Sequence, residues 1–169
     1  TGVPMSEASN IFQRYETIIP NVPAFYASIK TSLVTTFWYN PLKLSRAAFL
    51  KLLQQEDIVA EPMAWHAHGF KLKEKRSLGN HWLYLAGFLQ LQEEVSMLPT
   101  QLLDPQPGER VLDLCAAPGN KTAQIATQMQ NQGTVIANDR NAKRIKALGQ
   151  IMKRLSIINT SVTLYDGCN

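Results

Sequence analysis

The residues Cys115-Ala-Ala-Pro-Gly-Asn-Lys121 are the stretch of this chain whose types and spacing point most directly to chemistry. They follow a short apolar run (Val111, Leu112, Leu114) and precede a helical pattern, the strand–loop–helix order of a nucleotide-cofactor site. In such a site, backbone N–H groups at the helix N-terminus face the ligand. Small residues at Ala116, Ala117 and Gly119 let a ligand approach the backbone, and Pro118 fixes its own φ. Asp139 stands 20 residues past Gly119, at the end of a second apolar run, where a carboxylate accepts hydrogen bonds from ribose hydroxyls. The competing reading is a surface aspartate capping the helix that begins near Asn141. Asp166 repeats the placement after a third run, where it either accepts from an adenine amino group or simply turns the chain at Asp-Gly. Asp113 is placed to orient the loop, and Lys121 either locks it or faces solvent. The loop carries one glycine where a pyrophosphate cradle has several, which favours a cofactor without phosphate, S-adenosylmethionine, over NAD.

The elements that must position these residues read clearly in the second half of the chain. Strands at 110–114, Thr134 to Ala137 and Val162 to Tyr165 alternate with two helices. The first helix carries Thr122, Ile125, Ala126 and Met129 on one face. The second runs from Asn141 to Leu155 with Ile145, Leu148 and Met152 inward, and its lysines and arginines are expected on the solvent face. This βαβαβ order predicts an α/β chain ending in the first half of a Rossmann-like domain, a fragment of a longer protein whose sheet continues. The turn-rich Leu103-Asp-Pro-Gln-Pro-Gly108 separates it from an N-terminal α/β domain, giving domains at 1–103 and 104–169.

Within the N-terminal part, Ser6 to Ile19 reads as a helix capped by Ser6 or Ser9, and Pro23 to Ser32 as a second short one. Val34 to Tyr39 reads as a strand, and Ser45 caps a helix to Gln55. Ile58 to Trp65 and Gly69 to Leu72 are weaker strands, and Leu83 to Leu91 is ambiguous. Glu93 to Leu103 is helical, with Val95, Leu98 and Leu102 sharing a face. A net charge of +4 permits an acidic partner such as RNA without requiring one. No apolar run approaches the roughly 20 residues of a membrane span. No secretory leader is expected, and two cysteines form neither a disulfide framework nor a metal cluster, which suits a reducing cytosol.

Asp113-Leu-Cys-Ala-Ala-Pro-Gly-Asn-Lys-Thr122 closely resembles the cofactor motif of the NOL/NOP/Sun family of RNA cytosine-5 methyltransferases, the bacterial ribosomal RNA branch in particular. Gln92-Glu-Glu-Val-Ser-Met-Leu-Pro99 is similar to the helix preceding that motif, and Asn40-Pro-Leu-Lys43 to the family's Asn-x-Leu-Lys element. Asn138-Asp139 and Asp166-Gly167 match its second and third cofactor-contacting positions. The resemblance implies that Cys115, Ala116, Ala117, Pro118, Gly119, Asn120 and Lys121 wrap S-adenosylmethionine. It implies that Asp139 binds the ribose, Asp166 the adenine end, and that Arg144 assists nearby. It further implies ribosomal RNA as partner, a cytoplasmic monomer, and no metal.

Two departures stand out: Asn120 occupies a position where the family most often has glycine, and Trp38 one where it commonly has arginine. The family's chemistry needs a thiolate to add at C6 of cytosine, making C5 nucleophilic toward the methyl group. Its two cysteines lie in Asp-Ala-Pro-Cys and Thr-Cys segments, and neither segment occurs here. Catalytic residues are therefore not expected in this chain, and the isolated chain is expected to be inactive. Cys115 reads as a small packed residue and Cys168 as a non-nucleophile. The alternatives are a non-catalytic RNA-binding protein with a degenerate methyltransferase fold and a nicotinamide-dependent oxidoreductase half-domain.

Outside this motif, His66-Ala-His68 sets two imidazoles on one face of a strand, but with no acidic or cysteine ligand nearby no metal site is expected. Lys71 to Arg76 is a basic run beside Trp65 and Phe70, which suits either RNA or a solvated loop.

Overall fold

A computed structural model describes residues 11–168, which divide into two compact units at Leu33–Val34. In the first unit, a 3-10 helix (Gln13–Ile18) precedes α1 (Val22–Ile29). The expected helix to Ile19 is helical at residues 11–12 and tightens into a 3-10 helix from Gln13, and its proposed caps Ser6 and Ser9 lie outside the described residues. Asn21 caps α1 by accepting from the Ala24 N–H at 3.0 Å, and Pro23 sits in the first turn, where no N–H is needed. Phe12 meets Phe25 edge-on, and the Tyr26 hydroxyl donates to Glu16 at 2.8 Å.

The second unit opens with an antiparallel sheet of order β2-β3-β1-β4: β1 (Thr36–Tyr39), β2 (Ala60–Pro62), β3 (Gly69–Leu72) and β4 (Leu89–Leu91). Every residue of β1 is buried, and its alternation serves two cores. Phe37 and Tyr39 join Phe49, Leu53, Phe70 and Leu83 beneath α2 (Arg46–Gln55), whose N-terminus Ser45 caps as expected. Trp38 points the other way, into a core with Met97, Ala123, Ile125 and Leu148. The ambiguous segment 83–91 resolves into a short helix α3 (Trp82–Leu85), a turn at Gly87 and then β4. Strand β2 is shorter than the expected span because residues 63–68 form turns.

Helix α4 (Glu94–Leu103) leads to the parallel sheet β5-β6-β7: β5 (Arg110–Asp113), β6 (Thr134–Asn138) and β7 (Thr160–Thr163). Its connections are α5 (Asn120–Gln128) and α6 (Ala142–Leu155), so the expected βαβαβ order is observed. Pairing Val111 with Val135 and Asp113 with Ala137 puts those side chains on one face, and Val135 and Ala137 are buried in the core shared with α5 and α6. Leu112 and Leu114 line the other face and are exposed. Helix α4 departs from its expected packing: Met97 and Thr100 are buried, whereas Val95, Leu98 and Leu102 face outward. Periodicity identified an apolar stripe there but not whether anything covers it. The connector at 103–108 separates the two sheets in sequence, yet Trp38, Met63 and Met97 before it share one core with Ala123, Val135 and Leu148 after it.

Candidate cofactor site

Hydrogen bonds hold the loop between β5 and α5 in place from three directions. The Ala116 N–H donates to the Asn138 carbonyl at 2.8 Å, tying the loop to β6. Asp113 accepts from the Cys115 N–H at 3.3 Å and from the Thr122 hydroxyl at 2.8 Å, so one carboxylate fastens both ends of the loop. The peptide between Ala117 and Pro118 is cis. Gly119 has φ +113°, and a Cβ there would lie 3.2 Å from Leu148 Cα, so the loop presses directly against α6.

Asp139 is 3% exposed and spends both oxygens on this architecture. Its Oδ1 accepts from the Asn141 N–H at 2.9 Å. Its Oδ2 accepts from the Ala117 N–H at 3.2 Å and pairs with Arg144 at 3.3 Å. Arg144 also donates to the Ala117 carbonyl, bridging the loop and the carboxylate. Asn138, beside it, knots the ends of the three strands. Its amide donates to the Leu114 and Tyr165 carbonyls at 3.2 and 3.0 Å, and its oxygen accepts from Thr163 and the Tyr165 N–H at 3.0 Å each.

Beside these groups lies a cleft of 450 Å³ beyond the carboxyl ends of β5, β6 and β7, where open α/β sheets take their ligands. Cys115, Asp139, Arg144 and Asp166 all line it. The remaining expected residues are distributed around it. Ala116 and Ala117 are buried in the loop, and Pro118 is exposed. The Asn120 side-chain oxygen accepts from Gln90 at 2.8 Å. Lys121 lines a separate 150 Å³ hollow with Leu103, Leu112 and Leu114. Cys115 is exposed rather than packed, because the face of β5 that leads into it carries no covering element in the described chain. Cys168 is exposed on the same cleft, with its N–H on Asp166 at 3.1 Å, the turn that Cys115 makes with Asp113.

Residues 9–94 match the family model for the N-terminal domain of 16S rRNA methyltransferase RsmF, and residues 100–169 that for 16S rRNA methyltransferase RsmB/F. The chain belongs to this family. It is 39% identical to ribosomal RNA small subunit methyltransferase F of Pectobacterium carotovorum, covering 85% of this chain and 31% of that protein. It is 40% identical to the mouse 28S rRNA (cytosine-C(5))-methyltransferase over 76% of this chain and 16% of that protein. Among solved structures, a methyltransferase homologue from Pyrococcus horikoshii superposes with TM-score 0.78 at 32% identity, covering 83% of this chain and 46% of the other. The chain thus spans about a third of the length of the bacterial relative.

The family's Asn-x-Leu-Lys element turns out to be a fastening. Asn40 is fully buried and its amide donates to the Gly87 and Leu155 carbonyls at 3.2 and 2.9 Å. Lys43 donates to the Ala86 and Arg154 carbonyls at 2.7 and 2.8 Å, and burial together with nearby Arg154 lowers its pKa. Both side chains thereby satisfy carbonyls at the C-terminus of α6. Trp38 is buried and donates its indole N–H to Gln92 at 2.9 Å, so no RNA contact arises from that position. Arg154 departs from the expected solvent face: it donates to the Tyr84 and Leu89 carbonyls and to Gln90, and stacks on the Tyr84 ring at 4.0 Å. No periodicity signal could have separated it from its exposed neighbour Lys153.

His66 and His68 sit in the turn between β2 and β3, not on a strand. His66 is buried; its Nδ1 accepts from the His68 N–H at 3.1 Å and its Nε2 lies 3.0 Å from the Gln124 amide nitrogen. Burial, and then His68, push its pKa down to about 4. Among the described residues no group of three or more histidines, cysteines or acids is placed to hold a metal ion. A depressed histidine pKa makes stability fall as the pH is lowered. Above the unfolded value of 6.5 both states are neutral, and below it the unfolded chain takes the proton first. From pH 7 to pH 5 this group is expected to remove about 2 kcal/mol. Urea unfolding of the chain and of His66→Gln at both pH values checks it, since an equal loss in both proteins would contradict the assignment.

The basic run is largely spoken for. Lys71 pairs with Glu94 at 2.8 Å, Lys73 with Glu61 at 2.5 Å, and Arg76 donates to the Glu56 and Asp57 carbonyls. Phe70 is fully buried and offers no stacking face, whereas Trp65 is exposed, with its indole N–H on Glu94 at 3.2 Å.

Proposed function

We propose that the protein containing this chain transfers a methyl group from S-adenosylmethionine to C5 of cytosine in ribosomal RNA. In this reading the chain holds the methyl donor and does not supply the cysteine nucleophile. The observation that carries it is the convergence of Cys115, Asp139, Arg144 and Asp166 on one cleft at the carboxyl ends of a parallel sheet. The residues present fit such a cofactor. A cleft of 450 Å³ lies within the usual range for small ligands, about 300–1,000 Å³. Asp139 keeps one lone pair on Oδ1 for a ribose hydroxyl, Asp166 is exposed for an adenine amino group, and the small residues Ala116 and Ala117 keep the loop low. When bound, the cofactor supplies a methyl group activated by its sulfonium.

In the same reading, residues 1–103 help to hold the RNA and residues 104–169 the cofactor, in a cytoplasmic, monomeric protein. The chain is expected to bind S-adenosylhomocysteine and not NADH in isothermal titration calorimetry. It is also expected to transfer no methyl group to ribosomal RNA from labelled S-adenosylmethionine. Preference for NADH would replace this reading with the oxidoreductase one. Robust turnover by the chain alone would overturn the account of the catalytic cysteines.

A further inference from the structure

Gln90 and Gln92 are alternate residues in and just beyond β4, so their side chains share a face. Asn120 and Gln124 are four residues apart on α5 and share a face of the helix. Two strand residues rise about 6.8 Å and four helical residues about 6 Å, so the two pairs are in step. They meet as two amide rungs. The Gln90 amide donates to Asn120 Oδ1 at 2.8 Å, and the Gln92 amide to Gln124 Oε1 at 3.2 Å.

The direction of each rung is fixed by groups that only donate or only accept. Gln90 Oε1 takes a guanidinium N–H of Arg154, and Gln92 Oε1 the indole N–H of Trp38. Both glutamines must therefore turn their NH2 groups toward the helix. Gln124 passes the direction on, donating to the Met97 carbonyl at 3.1 Å and facing His66 Nε2. Gln90, Gln92 and Gln124 are each nearly fully buried, so an unmade rung would strand a polar group away from water. A satisfied buried network of this kind specifies one arrangement of the elements it joins.

We propose that Asn120 is a positioning residue for the cofactor loop. Held by Gln90 of the antiparallel sheet, it fixes the depth and rotation of α5 and hence the loop Cys115–Gly119 immediately before it. The proposal rests on the cofactor reading above. The first rung is the informative one, because Asn120 follows Gly119 directly and contributes nothing to the cleft lining.

The test uses the full chain with Asn120→Ala, Asn120→Ser and Asn120→Asp. Alanine removes the acceptor, serine is too short to reach Gln90, and aspartate keeps an acceptor at the same length. S-adenosylhomocysteine affinity is expected to fall about tenfold for alanine and serine and to stay within about twofold for aspartate. Amide exchange at Ala116 and Ala117 is expected to quicken in the same two variants and not in the third. Serine stands in if the alanine protein does not fold. A lowered melting temperature with unchanged affinity and unchanged loop exchange would make Asn120 merely structural and overturn the proposal. If the unaltered chain binds no S-adenosylhomocysteine, the cofactor reading fails. The exchange rates at Ala116 and Ala117 still decide for or against positioning.

Discussion

Asparagine in place of Asp139 is expected to lower S-adenosylhomocysteine affinity by about a hundredfold or more and to cost the free chain about 2 kcal/mol of stability. The two effects share one cause. Two backbone N–H groups, of Ala117 and Asn141, point at the two carboxylate oxygens, and a guanidinium from Arg144 shares one of them. An amide can offer an oxygen to one of these donors but must turn its NH2 toward the other. Arg144 then loses its anion while still tethered to the Ala117 carbonyl, so the loop loosens two residues past Cys115, which lines the cleft. The ribose hydroxyl that the proposed function assigns to this carboxylate loses a charged acceptor as well. Asp166 supplies the contrast, because it is exposed and its hydrogen bond in the structure is to the Cys168 N–H. Asp166→Ala is expected to weaken binding by about tenfold while leaving the melting temperature in place. Calorimetric titration and thermal unfolding of both variants check this pair. Equal behaviour of the two would mean that Asp139 has no architectural role.

The difference between these two aspartates marks where legibility in the sequence ends. Both were readable as candidate ligands, since each closes a β-branched or apolar run at the end of a parallel strand. That one is buried under three donors and the other exposed depends on Arg144 and Ala117 meeting it from separate elements, which spacing does not encode. The same limit runs through the fold. Strands β5 to β7 and their helices were legible because short apolar or β-branched runs alternate with helical periodicity and the loop is chemically distinctive. Helix α4 had an equally good stripe in Val95, Leu98 and Leu102, yet it is the other side, Met97 and Thr100, that packs inward. Segment 83–91 stayed ambiguous because an apolar run of this length fits strand and helix alike, and only the turn at Gly87 separates α3 from β4. The polar side chains that join the two sheets were out of reach altogether. Asn40 and Lys43 stand out only through the resemblance and Arg154 reads as solvent-facing, yet all three are buried or half-buried because each satisfies backbone carbonyls of a distant segment.

Alanine at Gly87 is expected to destabilise the chain by more than about 4 kcal/mol, lowering the melting temperature by about 10 °C or preventing soluble expression. Gly87 has φ +72°, but the strain of a side chain in that conformation is the smaller part. A Cβ would lie 2.0 Å from the Arg154 carbonyl oxygen and 2.9 Å from Lys43 Nζ. The Lys43 side chain can swing aside, but the Arg154 backbone cannot yield cheaply. The Arg154 carbonyl belongs to the last turn of α6 and is held by Lys43, while the Gly87 carbonyl is itself an acceptor for buried Asn40. Accommodating one methyl group would therefore drive the C-terminus of α6 away from the antiparallel sheet. That movement breaks the Asn40 and Lys43 bonds together and uncovers the core around Leu155. Gly149 provides the control within the same helix, since a Cβ there meets nothing within 4 Å. Gly149→Ala should raise stability by up to about 1 kcal/mol, the ordinary helical preference. Thermal or urea unfolding of the two variants side by side checks the claim. A mild effect at Gly87 would mean that the junction between α6 and the sheet is compliant rather than close-packed.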